Sequence, residues 1–167
     1  MSEVNAVQVS YCELWSDRLR RPVGQLSEDA ARQLDWRGQR YGFVVGDPFA
    51  PDLEVTVHWK KSCLTVSFID DAGRKHVRYM FRLIDEHRLF LGNVIAWDYA
   101  EGARYEFEAA RIESVLCKPS GYLRRKLEDK NSKTVQISEY TSAPVNSNWE
   151  PSPRFGDWGS VIRYERN

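Results

Sequence analysis

Arg125 is the side chain whose setting most requires a partner. It lies between Leu123 and Leu127, on the apolar phase of an alternating stretch. A guanidinium buried there without an anion is very unfavourable. Two readings follow. In one, Arg125 anchors a carboxylate or phenolate, oriented by Tyr79, Asn93 and Tyr105, with Ser114 roughly opposite across a tight Pro119-Ser120 turn. In the other, its head reaches water at the mouth of the fold while its stem covers apolar neighbours. Trp59, Trp97 and Tyr105 likewise form either the aromatic wall of a pocket or plain interior filling.

Other chemistries find less support. His58 and His76 share a strand phase but sit on strands separated by a third, and four residues of offset puts them ~13 Å apart. His87 falls in a turn, so no metal site is expected. Cys12, Cys63 and Cys117 are odd in number and widely spaced with no CxxC pair, which argues against a disulfide framework or zinc knuckle and for reduced cytoplasmic thiols. No nucleophile elbow, phosphate loop or dinucleotide fingerprint is present, so no cofactor is expected. Asp70-Asp71 and Asp85-Glu86 read as turn formers. In Arg78-Tyr79-Met80-Phe81-Arg82 the aromatics and arginines fall on opposite faces, which argues against a nucleic-acid platform.

The 167 residues suit a single domain with a real core. Twenty-four basic side chains balance 24 acidic ones, so no net field favours nucleic acid or an anionic membrane. No apolar run approaches a membrane span. Met1-Ser2-Glu3-Val4-Asn5 has no basic-then-apolar leader pattern.

The elements that must position these residues are strands. Between Leu53 and Tyr140, alternating segments at 53–59, 63–70, 75–84, 87–99, 103–109, 111–118, 121–128 and 133–140 are separated by turn-forming clusters. One face reads Val55, Val57, Trp59; Leu64, Val66, Phe68; Val77, Tyr79, Phe81, Leu83; Leu89, Leu91, Asn93, Ile95, Trp97; Tyr105, Phe107. The opposite face is polar, so the sheet is antiparallel with one wet side. A two-residue loop at Ala72-Gly73 sets Phe68 against Val77, Val66 against Tyr79 and Leu64 against Phe81. A three-residue loop at Ala100-Glu101-Gly102 sets Trp97 against Tyr105 and Ile95 against Phe107, and the next hairpin places Asn93 opposite Tyr79. Ala109-Ala110 shifts the phase, through a bulge or a helical turn.

Residues 1–50 read as a helical and strand segment. Ser10–Glu13 fits a capping box that opens a helix, while Val7, Val9 and Tyr11 fit a strand. Ser27 is an N-cap for a short helix, and Tyr41–Val45 is a strand. Residues 142–167 read as a Pro/Trp-rich strap ending in a closing strand over Ser160–Arg166. Trp149, Phe155 and Trp158 make the strap a plug, a lid or a protein-gripping patch.

The expected fold is mainly β: an antiparallel up-and-down meander of hairpins that closes into a barrel over residues 53–140. With its short helical N-terminal part, it resembles the lipocalin-like group of barrels. That resemblance implies an apolar small ligand held inside the barrel, and it transfers no functional residue. The expected function is binding of a small, largely apolar molecule, with or without an anionic group, and cofactor-independent cyclase or isomerase chemistry by orientation is an extension. The alternative is a protein-binding immunity or inhibitor domain that neutralises a toxin or enzyme. Oligomeric state stays open.

Overall fold

Along the chain the elements are β1 (Val9–Ser16), β2 (Arg21–Gln25), α1 (Glu28–Trp36), β3 (Tyr41–Asp47), β4 (Ala50–His58), β5 (Cys63–Ile69), β6 (Lys75–Asp85), β7 (Arg88–Asp98), β8 (Arg111–Cys117), β9 (Leu123–Asp129), β10 (Thr134–Tyr140), β11 (Trp149–Pro151) and α2 (Gly159–Ile162). The computed structural model describes residues 7–166; the first six residues, including Met1–Asn5 read above for a leader pattern, and Asn167 lie outside them. The strands form one antiparallel sheet in the order β10-β9-β8-β7-β6-β5-β4-β3-β1-β2, with β11 beside β7. Among the described residues, no helix is long and apolar enough to cross a membrane.

The central hairpins follow from alternation and turn chemistry. β5 and β6 pair Leu64 with Phe81, Val66 with Tyr79 and Phe68 with Val77, the expected pairs, although the turn is longer than the expected two-residue loop and a register shift between Phe68 and Ile69 offsets the difference. Their apolar face joins Tyr41, Phe43, Leu53, Val55 and Val57 in one buried cluster. α1 is capped by Ser27, whose hydroxyl accepts from the Ala30 N–H at 3.1 Å, with Glu28 and Asp29 in the first turn. It packs Ala31 and Leu34 on the sheet.

Several expectations need correction. Of the two readings at the start of the chain the strand holds and the helix opened at Ser10–Glu13 does not: β1 pairs with β3 and then β2, and sheet pairing overrides a local capping pattern. No strand covers 103–109; a 3₁₀ turn at Glu106–Glu108 stands there. The Glu108 carboxylate accepts from the N–H groups of Arg104 and Tyr105 at 2.7 and 2.9 Å, which also lowers its pKa. The proposed closing strand is instead the short helix α2 followed by irregular chain.

The sheet does not close into a barrel. β7 divides the work of its outer edge: Arg88–Phe90 pair with β11, and Asn93–Asp98 pair with β8. An irregularity at Gly92 separates these halves, since Met80 pairs with Asn93 but Phe81 with Leu91. One extra residue flips every later side chain to the other face. Val94 and Ala96 therefore turn inward, and Asn93, Ile95 and Trp97 turn outward.

The strap covers the apolar concave face instead. Trp158 and Val161 are buried, with Trp158 4.8 Å from the Phe43 ring and Phe155 stacked 5.2 Å from Tyr11. This is the plug among the readings of the strap. Trp158→Ala is expected to destabilise the protein by about 3–5 kcal/mol in a urea titration. A loss under about 1 kcal/mol would show that the plug is not part of the core.

Candidate functional site

The seven residues expected to share an interior are dispersed. Tyr79 is buried on the concave face and donates from its hydroxyl to the Tyr164 carbonyl at 2.5 Å. Burial raises its pKa, against the lowering effect of Arg166. Arg125 lies on the same face but three strands away, ~14 Å at ordinary strand spacing. There the sheet is uncovered, and Arg125 is an exposed partner of Glu113 at 2.6 Å. It faces Val115 rather than Ser114. Asn93, Trp97 and Ser114 occupy the outer face, where the Arg78 guanidinium lies 5.2 Å from the Trp97 ring. Tyr79 pairs with Val94, not Asn93. Tyr105 stacks on exposed Phe107 at 5.5 Å in the loop. Trp59, in a 3₁₀ turn, donates to Asp35. An anion-anchoring interior is therefore not assembled from this set.

The buried polar chemistry lies in residues that strand alternation does not single out. Glu150, on β11, is buried and faces the strap. Its Oε1 accepts from Arg166 at 2.5 Å and also from Arg163. Arg166 further donates to the carbonyls of Ser160 and Val161 at 3.0 and 2.9 Å, and its guanidinium lies 4.8 Å from the Phe81 ring. Burial lowers its pKa and Glu150 opposes that shift. A second charged group sits where the β1–β2 turn meets the sheet: buried Lys75 reaches Asp17 at 2.5 Å and buried Glu54 at 3.1 Å. Asp35 receives the Tyr41 hydroxyl at 2.8 Å and the Trp59 indole N–H at 2.6 Å. That pins α1 to the sheet. Among the described residues, no group of three or more His, Cys, Asp or Glu side chains could hold a metal ion.

Two surfaces have the shape of binding sites. On the outer face, a groove of about 450 Å³ is lined by Thr65, Met80, Ile84, Asn93, Leu116 and Cys117. The Oδ1 of Asn93 is buried there without a hydrogen-bond partner. At the β3–β4 turn, Phe49 stands 89% exposed between clefts of about 490 and 470 Å³. Leu19, Val23, Pro22 and Pro48 flank it across these clefts. Asp47 accepts from the Phe49 N–H at 2.9 Å and holds the turn that presents the ring. An aromatic residue directly after Asp47-Pro48 was the available signal in the sequence.

Comparison of the chain with family models, with curated proteins and with solved structures finds no match.

Two outcomes test this description. Arg166→Met leaves Glu150 buried with one guanidinium fewer, and is expected to cost about 3–5 kcal/mol by chemical denaturation. A midpoint equal to wild type would place that pair in solvent. The thiols give the second test. Burial, with Glu54 nearby, pushes Cys12 up to about 11, and burial also raises Cys117. At pH 8 about one Cys12 thiol in a thousand is then ionised. Mass-mapped alkylation of the native protein should label half-buried Cys63 first; early labelling of Cys12 would contradict its burial.

Proposed function

We propose that this chain is a protein-binding domain of the immunity or inhibitor kind, which neutralises a toxin or enzyme by covering its working surface. The observation carrying this reading is the division between a filled interior and an exposed apolar turn. Trp158, Val161 and Phe155 occupy the space an enclosed ligand would need, while Phe49 projects at 89% exposure. A rigid aromatic beside clefts is the kind of anchor that dominates binding energy between proteins. Proline on both sides, at Pro22 and Pro48, limits the conformational entropy lost on docking. Arg20, Asp52 and Asp70 around the same clefts supply a polar rim.

A second reading has one specific observation in its favour. The outer groove falls within the ~300–1,000 Å³ range of small-molecule sites and has an orphaned acceptor at Asn93. A lipocalin-like role, moved from the interior to this face, would place an apolar ligand there with Asn93 as its polar contact. Any cyclase or isomerase chemistry would act by orientation in the same groove. The three free thiols support a cytoplasmic setting for either role.

Quantitative affinity capture with wild type and Phe49→Asp, alongside native mass spectrometry of the purified chain, separates the two. The expected result is a partner retained by wild type and reduced at least ~10-fold by Phe49→Asp, with an unchanged circular dichroism spectrum. Equal capture by both would reject the Phe49 surface. A co-purified small mass lost in Asn93→Leu would establish the groove reading instead.

A further inference from the structure

The two ends of the sheet differ in how they refuse another strand. β2 ends one side and contains Arg21, Pro22 and Gly24, the last at φ +71°. Proline removes a main-chain donor, and the charge and the turned glycine make a poor template. β11, beside β7, ends in Pro151. β10 ends the other side with none of these devices. It runs from Thr134 to Tyr140 without proline or glycine, pairs with β9 in unbroken register, and has Glu139 as its single charge. Every one of its residues is exposed, including Val135 at 58% and Ile137 at 51%. A long, regular edge of alternating apolar side chains is a template for strand pairing.

We propose that β10 pairs with β10 of a second copy of this chain, antiparallel, about a two-fold axis through Ile137. The pattern of the strand argues for a copy of itself. A two-fold perpendicular to the sheet keeps each face on its own side, so residues of like parity must meet. Centred on Ile137, the register sets Thr134 against Tyr140, Val135 against Glu139, Gln136 against Ser138 and Ile137 against Ile137. All seven residues of β10 are used. No two like charges face each other, because Glu139 meets Val135 of the copy. The rows continue onto β9 with compensating charge: Arg124 pairs with Glu139 and Lys126 with Ile137. The central row then reads lysine, isoleucine, isoleucine, lysine, with the apolar pair shielded between. Pairing by one strand edge lies at the small end of stable interfaces, so the dimer forms with rising concentration.

This contact stands apart from the Phe49 surface, since β4 through β9 lie between β3 and β10 in the sheet. Dimerisation and partner capture therefore succeed or fail separately.

Sedimentation velocity of the full chain from about 1 to about 200 µM tests the proposal, with Ile137→Lys and Ile137→Glu as variants. Because residue 137 faces itself, each variant brings like charges together and should sediment as a monomer throughout. An equimolar mixture of the two should recover the dimer. Matching circular dichroism and melting curves serve as the folding control, and hydrogen exchange on wild type gives an independent readout, with β10 amides slowing as concentration rises. A wild-type chain that stays monomeric overturns the proposal. So does a dimer that persists in both variants, or a mixture that stays monomeric. Protection of β10 only when a different protein is added would assign the edge to that partner instead.

Discussion

An antiparallel sheet with one apolar face is stable only if that face is covered. Closing into a barrel is one solution, and a separate covering layer is another. This chain uses the second. Trp158, Val161 and Phe155 pack against Phe43, Tyr11 and their neighbours, so the strap supplies the missing wall. The strap needs a route onto the concave face, and β11 provides it by pairing with the first half of β7. β8 can then pair only with the second half. From that competition for one strand edge come the open sheet, the uncovered β8–β10 extension and the free edge of β10.

The same covering layer introduces charge into the core. Glu150 arrives with β11 and is buried against the concave face, where an uncompensated carboxylate would be very costly. Arg163 and Arg166 lie on the far side of α2 and close onto it. The ring faces of Tyr79 and Phe81 lie 5.3 and 4.8 Å from the Arg166 guanidinium and complete its surroundings. The ion pair specifies where the strap sits more than it adds stability. Lys75 with Glu54 and Asp17 does the same for the β1–β2 hairpin, and Asp35 does it for α1. Each added layer is thus keyed to the sheet by a small group of buried or part-buried polar contacts.

How far the sequence could be read follows from where the period of two holds. From β4 to the first part of β7 alternation holds, and the residue pairs across β5 and β6 are legible from it, although the turn between them is longer than two residues and is offset by a register shift. Gly92 breaks that logic with a single extra residue, which no hydrophobic pattern announces when Leu91 and Ile95 are both apolar. The rest of β7 inherits the error: Asn93 and Trp97 exchange faces, and the supposed ligand set comes apart. Arg125 failed for a different reason. Its phase was read correctly, but phase does not say whether a face is covered, and the strands around it have no layer over them. At the start of the chain, Ser10–Glu13 suited a helix locally and lost to the pairing β3 offers. Glu150 and Arg166 were not legible at all, because their partnership depends on how the strap folds back.

These outcomes bear on function through one argument about space. A lipocalin-like interior has room for a ligand because closure holds its walls apart. Here the space between the walls holds a plug of indole and phenyl rings packed against the buried cluster. On the binding readings proposed above, contact with a partner or ligand is then left to the surfaces the fold leaves uncovered. Those surfaces are the tip that Asp47 and Pro48 hold out, the outer groove opened beside the Gly92 irregularity, and the edge that β10 leaves unpaired. On the protein-binding reading proposed above, recognition falls to that rim, and the plugged interior is what the rim is built on.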